Sequence, residues 1–247
     1  MKDRESYLLE IRRMAATDTS EQAYNELYEE ASLSQIGSFY LWLMAQLRLP
    51  TRGSLLDVSC GAGEVVRLAA QHGLTVVGVD ISEVVARKAN RKLGQWGMIA
   101  VSPGEYLPFS NGSFDFVTNI GSLEHFVDPA LGVREMARVL RPGGKAFVLV
   151  PNTFSLLTNI WIAFRTGHTA ADLQPIQRYG ARADWTNLLQ ANGLRVCHTG
   201  KYERSWPRLK ADWGYYLHRP KEMLRLASTP FVPLNLAFCF LFTCERS

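Results

Sequence analysis

The most constraining feature of this sequence is a regular alternation of short apolar runs with helical segments between residues 53 and 150. The apolar runs are continuous, as expected for parallel strands that are buried on both faces. We therefore predict a doubly wound α/β sheet. Its strands are expected at Ser54–Ser59, Thr75–Asp80, Met98–Val101, Phe114–Asn119 and Lys145–Val150, with helices at about 64–72, 82–95 and 128–140.

The regions on either side of this alternation follow other patterns. Residues 1–52 are predicted to form an N-terminal helical cap, because Tyr24, Leu27 and Tyr28 recur at helical spacing. Residues 53–247 are predicted to form the sheet domain, with lid-like insertions at about 151–181 and 203–233. The remaining elements are expected to be a helix at 182–191, a strand at 194–202 and a buried last strand at 234–243.

Composition narrows the class of protein. A chain of 247 residues with 47% hydrophobic content is long and apolar enough for a real core, which excludes disorder. The net charge of +4 gives no warrant for nucleic acid, although it would not repel an anionic ligand or membrane.

Cellular location is predicted from the cysteines, the N-terminus and the longest apolar stretch. None of the four cysteines forms a C-x-x-C pair and no histidines have metal-ligand spacing, so no metal site is expected. The charged N-terminus is unlike a secretory signal, and Phe231–Cys244, the longest apolar stretch, is too short to span a bilayer. We expect a soluble, cytoplasmic protein with reduced thiols.

A glycine turn between the first strand and the first helix carries the first chemical signal. In the segment from Leu55 to Glu64, Gly61 and Gly63 let a ligand approach the backbone without a Cβ in the way. A dinucleotide fingerprint would need a small residue where Val66 stands. Asp57 would also oppose a pyrophosphate, whereas it would favour a cationic group such as a sulfonium or an ammonium.

Asp80 is the second signal, because it ends the next predicted strand. A carboxylate at that place can accept hydrogen bonds from both hydroxyls of a ribose. Together, the glycine turn and the two acids predict a site for a nucleoside that carries a positive charge.

At this point the chain resembles the class I S-adenosylmethionine-dependent methyltransferases, and most of all the small-molecule branch that includes the ubiquinone/menaquinone biosynthesis enzymes. Besides the glycine turn, the similar segments are Leu107–Val117, Ser122–Pro129 and Glu135–Gly144, and the resemblance covers about residues 53–150. It implies a Rossmann-like sheet of seven strands, mostly parallel with an antiparallel last strand, N-terminal helices and a lid after strand five.

The resemblance also implies S-adenosylmethionine as cofactor, with S-adenosylhomocysteine as product, and assigns its contacts. Asp80 would hold the ribose, Ile81 would pack on the adenine, and Asn119 would line the methyl end. Pro103 stands where the family usually has an acid, so either Gly104 and Glu105 meet the adenine amino group or the adenine is held by shape and stacking. The remaining predicted cofactor contacts are Tyr24, Tyr28, Asp57, Ser59, Cys60, Gly61 and Gly63.

The predicted reaction is transfer of the methyl group to an O, N or C atom of a small-molecule acceptor, hydrophobic or anionic. His125 is the catalytic candidate, as a general base, although packing and helix capping are the preferred interpretation. Side chains expected to wall the acceptor are Phe154, Trp161, Phe164, His168, Gln174, Arg178 and Tyr179.

Two other functions stay open. The basic and aromatic stretch Lys201–Arg225 could bind nucleic acid, although a solvated or dimer-forming loop is the preferred interpretation. A homodimer is therefore left open. The departure at Pro103 also allows a protein that binds S-adenosylmethionine without catalysis.

Overall fold

The computed structural model describes residues 7–12, 20–30, 35–170 and 174–247. Its centre is a seven-stranded sheet in the order β4-β3-β2-β5-β6-β9-β8. The strands are β2 (Ser54–Val58), β3 (Thr75–Asp80), β4 (Met98–Val101), β5 (Phe114–Ile120), β6 (Leu140–Pro151), β8 (Leu194–Tyr202) and β9 (Cys239–Arg246).

All neighbouring strands from β4 to β6 pair in parallel, and β9 is antiparallel to both of its neighbours, β6 and β8. The predicted Rossmann-like sheet, mostly parallel with an antiparallel last strand, is confirmed. The strand order runs outward from β2 in one direction and from β5 in the other, so chain connections diverge between these two strands. Ligands of doubly wound sheets bind outside the carboxyl ends of the strands at such a point.

Helices cover both faces of the sheet, as the continuous apolar strands require. They are α1 (Ser20–Glu30), α2 (Gly37–Leu47), α3 (Glu64–Gln71), α4 (Glu83–Leu93), α5 (Pro129–Val139), α6 (Trp161–Thr166), α7 (Arg182–Ala191), α8 (Lys210–Leu217) and α9 (Pro220–Ser228). One core packs Met136 of α5 and Trp185 of α7 against the sheet. The other packs Leu43 of α2, Val66 of α3 and Ala86 of α4 against the opposite face.

The prediction that the N-terminal cap is helical throughout is wrong for its first described segment. Leu8–Arg12 forms a strand, β1, which pairs antiparallel with β7 (Ile176–Gly180). Five residues have weak local preference, and the backbone N–H and C=O groups of a partner strand distant in sequence decide their conformation. The ribbon joins the N-terminal cap to the insertion after β6.

The C-terminal part also departs from prediction. The last strand begins at Cys239 because Leu234–Leu236 forms a turn of 3₁₀ helix after Pro233. The insertion at 203–233 contains two helices, α8 and α9, for which no prediction was made. Among the described residues, no helix is both long and apolar enough to cross a membrane.

Candidate active site

A cavity of about 1060 Å³ lies at the carboxyl ends of the central strands, where their connections diverge. Residues of β2, β3, β5 and β6 and the loops that follow them form its floor, and α1, α2, α6, β7 and β8 contribute to its walls. Eleven of the predicted site residues line it, namely Tyr24, Tyr28, Asp57, Ser59, Cys60, Gly61, Asp80, Ile81, Gly104, Glu105 and His125.

The glycine turn takes its shape from left-handed backbone conformations. Ser59, Gly61 and Gly63 have φ values of 58°, 51° and 75°. The Cys60 N–H donates to the Val79 carbonyl over 2.9 Å, which keeps the turn against β3. A Cβ on Gly61 would lie 3.3 Å from the Tyr28 hydroxyl, so glycine keeps this side of the cavity open.

Asp80 is a buried carboxylate held in one orientation. Its Oδ2 accepts the Gly61 N–H over 2.8 Å and its Oδ1 accepts the Ser82 N–H over 3.0 Å. Burial raises the pKa of Asp80, and these backbone hydrogen bonds act in the opposite direction. A carboxylate has about four acceptor positions, so those left over suit the two hydroxyls of a ribose.

Asp57 is the second buried carboxylate of the cavity. Its Oδ1 accepts the Thr118 hydroxyl over 2.7 Å. Burial raises the pKa of Asp57 from 3.8 to about 7, with a further contribution from the charge of Asp80. A cationic group beside these two acids would return Asp57 to its charged form, so the electrostatics of the cavity favour a ligand with positive charge.

Cys60 lines the cavity close enough to both acids to feel their charges, but it is not a candidate nucleophile. Burial and the charges of Asp57 and Asp80 raise its pKa well above the ordinary value. Its sulfur points at β3, where a Cβ on Gly78 would lie 2.7 Å from it. A thiolate is therefore disfavoured here, and packing accounts for the residue.

Helix α1 brings Tyr24 and Tyr28 to the cavity wall. Burial and the charge of Asp80 raise the pKa of Tyr28. The helix is held by Asn25, whose Oδ1 accepts the Ser82 hydroxyl over 2.7 Å at the start of α4. Asn25 was not predicted, because an asparagine on an isolated amphipathic helix carries no local signal of such a contact.

The residues predicted to surround the adenine, Ile81, Gly104 and Glu105, all line the cavity. Pro103 lines it as well. A Cβ on Gly104 would lie 2.2 Å from the Phe126 ring, so glycine is needed for that packing. The Glu105 carboxylate, however, accepts the Val127 N–H over 2.8 Å, so it also fixes the loop after β5.

Two predicted cofactor contacts, Gly63 and Asn119, do not line the cavity. Gly63 precedes α3, and a Cβ there would lie 3.0 Å from Ile99 within the core. The Asn119 amide donates to the Val58 carbonyl over 3.2 Å and accepts the Leu123 N–H over 2.9 Å. Both residues shape the turns around the site, because their polar groups or their space are already used by neighbouring backbone.

His125 follows β5 and faces the acceptor side of the cavity. Its Nδ1 lies 2.6 Å from the Ile176 carbonyl oxygen, and its Nε2 lies 3.8 Å from Oε1 of Glu124. A hydrogen bond from Nδ1–H to Ile176 assigns the tautomer in which Nε2 holds the lone pair. Glu124 was not predicted, although it is adjacent in sequence, because its burial depends on β7.

The predicted acceptor wall is only partly found. Gln174 and Tyr179 line the cavity, whereas Phe154, Trp161, Phe164 and His168 do not. Arg178 is buried and holds the loop after β5 by donating to the Phe126 and Val127 carbonyls. The residues found there without prediction are Thr158, Asn159, Ile162, Gln177, Tyr202, Arg204 and Phe238.

Gln177 is the most informative of these additions. Its side chain is 4% exposed and its Nε2 donates to the Arg178 carbonyl over 3.1 Å. Its Oε1 has no hydrogen-bond partner among the residues that the structure describes. A buried acceptor atom on a cavity wall is expected to receive a hydrogen bond from a ligand.

The sheet order, the glycine turn and the acids at the ends of β2 and β3 agree with the resemblance to S-adenosylmethionine-dependent methyltransferases. Residues 56–148 match the family described as Methyltransferase domain, which identifies this part of the chain as a methyltransferase domain. The resemblance predicted from four sequence segments is confirmed.

Comparisons with individual curated proteins agree with the match to the methyltransferase family. The chain is 33% identical over 140 residues to a ubiquinone/menaquinone biosynthesis C-methyltransferase of Geotalea uraniireducens, covering 53% of this chain and 60% of that protein. It is 36% identical over 124 residues to the 27-O-demethylrifamycin SV methyltransferase of Amycolatopsis mediterranei, covering 46% of each. The matches thus span about half to three fifths of these relatives.

The fold extends beyond the matched sequence. An S-adenosylmethionine-dependent methyltransferase structure from Mesorhizobium loti superimposes with a TM-score of 0.60 at 17% identity, covering 84% of this chain and 98% of that one.

Proposed function

We propose that this protein transfers a methyl group from S-adenosylmethionine to a small-molecule acceptor. The observation that carries the proposal is the pair of buried carboxylates, Asp57 and Asp80, at adjacent strand ends in one cavity. Asp80 is oriented to receive a ribose, and Asp57 favours a cation beside it. This combination suits a nucleoside with a sulfonium and an ammonium group.

The cofactor would supply a methyl group already attached to a good leaving group. The chain's own residues then have to hold the acceptor in line, which is an effect of proximity and orientation. Tyr24 and Tyr28 of α1 lie over the cofactor side, and the loop held by Glu105 and Arg178 closes the space between both sides. These groups would exclude water from the reacting atoms.

His125 is proposed as the general base for an acceptor that must lose a proton. The Ile176 carbonyl fixes the ring through Nδ1, so Nε2 is the atom that can take the proton. The Glu124 carboxylate, 3.8 Å from Nε2, would stabilise the imidazolium that forms. Gln177 Oε1 would accept a hydrogen bond from a hydroxyl or N–H group of the same acceptor.

The class of acceptor is proposed from the walls of the cavity. Ile162, Tyr179, Tyr202 and Phe238 give the acceptor side an apolar and aromatic part, and polar side chains such as Asn159, Gln177 and Arg204 lie beside it. We therefore propose a hydrophobic acceptor with at least one hydroxyl or N–H group. The similarity to a ubiquinone/menaquinone biosynthesis C-methyltransferase and to the 27-O-demethylrifamycin SV methyltransferase supports a small molecule rather than nucleic acid. A cytoplasmic location is proposed on the same basis.

The experiment has two parts. Titration calorimetry with S-adenosylmethionine should show binding to the wild type that is weakened in Asp80→Ala and preserved in Asp115→Ala. Asp115 is a matched control, because it lies on β5 at the opposite end of the sheet and pairs with Arg141. A screen of phenolic and other hydrophobic acceptors for S-adenosylhomocysteine release then tests catalysis. Binding without release from any acceptor would leave a silent binding protein, and no binding would overturn the assignment of the cavity.

A further inference from the structure

We propose that the segment Trp206–Phe231, called the 206–231 segment below, binds the surface of an anionic lipid membrane. The first observation is a set of exposed large apolar side chains in α8, in α9 and in the turn that follows α9. Trp213 and Leu217 are one helical turn apart on α8 and are 47% and 65% exposed. Leu224 of α9 is 74% exposed and Phe231, which follows it, is 85% exposed. Several large exposed apolar side chains within one short segment are a candidate interaction surface.

The side of α8 that carries Asp212 and Tyr216 is buried within the protein, and Trp213 and Leu217 lie about 100° around the helix from it, on the exposed side. Asp212 is buried and accepts the Ser38 N–H over 2.7 Å. Tyr216 is buried and its hydroxyl donates to the Ser205 carbonyl over 2.9 Å. The helix is thus fixed on the domain, while Trp213 and Leu217 stay available to an outside partner.

The charged side chains of the 206–231 segment indicate which kind of partner it binds. The 206–231 segment has two carboxylates, and both are occupied inside the protein: Asp212 at the Ser38 N–H, and Glu222 by Arg204 and Arg225. Its exposed cations, by contrast, have no ion pair among the described residues: Arg208, Lys210, Arg219 and Lys221. The outer face is therefore apolar and positive at once.

That combination fits a bilayer with anionic headgroups. Aliphatic and aromatic side chains enter the boundary between headgroups and acyl chains, and the cations remain among the phosphates. A second copy of this chain would bring positive charge against positive charge. A nucleic acid would satisfy the cations, but it offers nothing to Leu217 and Leu224, because base stacking uses aromatic side chains.

The segment is also attached to the wall of the cavity. Arg204, which lines the cavity, forms an ion pair with Glu222 of α9 over 2.8 Å. Arg225 donates to the carbonyl of Leu157, in the π-helical turn Leu156–Ile160 whose Thr158 and Asn159 line the cavity. A membrane bound to the 206–231 segment would therefore lie next to the part of the wall proposed to face the acceptor.

Co-sedimentation of the full chain with vesicles tests the proposal. Vesicles of equal parts phosphatidylcholine and phosphatidylglycerol should pellet the wild type, and vesicles of phosphatidylcholine alone should pellet it much less. The double variant Leu217→Gln with Leu224→Gln should weaken binding by about tenfold or more. The double variant Lys210→Glu with Lys221→Glu should do the same, and added salt should weaken wild-type binding.

Two matched controls keep the result specific. Met98→Gln with Val101→Gln changes exposed apolar residues at the β4 edge, and Arg52→Glu with Lys145→Glu makes the same charge change at the other end of the sheet. Both controls should bind like the wild type. Equal loss in a control, equal binding to both kinds of vesicle, or binding only to a single-stranded RNA oligonucleotide would overturn the proposal. The proposal would also be overturned if the wild type were a dimer in solution and the Leu217→Gln, Leu224→Gln variant were a monomer.

Discussion

The two sides of the cavity are built in different ways. On the cofactor side, Asp57, Gly61 and Asp80 come from two consecutive strand ends, and Gly61 and Asp80 are joined by a direct hydrogen bond. On the acceptor side, His125 meets the Ile176 carbonyl from an insertion 51 residues further along the chain, and Arg204 and Phe238 arrive from later segments still. The cofactor side is therefore built from a local sequence motif, whereas the acceptor side is assembled from segments that are distant in the sequence.

The two sides also differ in chemistry. The cofactor side carries buried acids whose pKa values are raised by burial, whereas the acceptor side combines aromatic and apolar side chains with amides and a guanidinium. If this division is correct, changes on one side should alter one function and leave the other intact.

The largest expected effect lies on the acceptor side. His125→Ala should lower turnover of a hydroxyl or N–H acceptor by about 10²–10⁴-fold, because it removes the proposed general base. Affinity for S-adenosylmethionine, measured by calorimetry, should stay unchanged. A turnover within about tenfold of the wild type, scaled to folded protein, would assign His125 to packing instead.

The next effect lies on the cofactor side. Asp80→Ala should weaken S-adenosylmethionine binding by about 1–3 kcal/mol, the usual scale for a lost hydrogen bond to a charged group. The melting temperature should be measured beside the affinity, since Gly61 and Ser82 also lose an acceptor. Wild-type affinity in a folded Asp80→Ala protein would remove Asp80 from the ribose site.

The next prediction concerns the contribution of Asp57 to the pH dependence of the free energy of unfolding. Its pKa is raised to about 7 in the folded protein, so the folded state binds a proton more tightly than the unfolded state does. The free energy of unfolding without ligand should therefore decrease as pH rises from about 4 to about 7, and Asp57→Asn should flatten this slope. Denaturant unfolding across this pH range measures it.

Asp115→Asn is the control for that slope, because its carboxyl has a lowered pKa owing to Arg141 and Ser54. Its contribution is lost only as pH falls below its ordinary range, so it should leave the slope near neutrality unchanged. A flat profile in the wild type would contradict the assignment of Asp57. Binding of the cationic S-adenosylmethionine, relative to the uncharged sulfur of S-adenosylhomocysteine, should strengthen as pH rises through about 7.

The smallest effect concerns the attachment of α1. Asn25→Ala removes the acceptor of the Ser82 hydroxyl and should weaken cofactor binding only a few-fold, about 1 kcal/mol, with turnover at saturation unchanged. Calorimetry and saturating rates check it. Gln22→Ala, on the outer side of the same helix, should have no effect; a similar loss there would point to helix propensity rather than to the contact.

Sequence patterns predicted the part of the fold in which local and tertiary preferences agree. The strands Thr75–Asp80 and Met98–Val101 lie where predicted, because each is a short apolar run between turn residues. The same holds for Asp57 and Asp80, which the chain itself delivers to the ends of neighbouring parallel strands. Strand Leu8–Arg12 was missed because its conformation depends on hydrogen bonds to Ile176–Gly180.

The sequence by itself therefore determined the strands between residues 54 and 150, the glycine turn and the charge of the cofactor side, since each of these patterns lies in a contiguous segment of the chain. Only the tertiary structure decided which side chains wall the acceptor, where Gln177 and Arg204 replace the predicted Phe154 and Trp161. It also decided that Asn119 serves the backbone of Val58 and Leu123 rather than the cavity. The physical reason is that burial and hydrogen-bond partners across 50 or more residues are set by packing, which local periodicity does not encode.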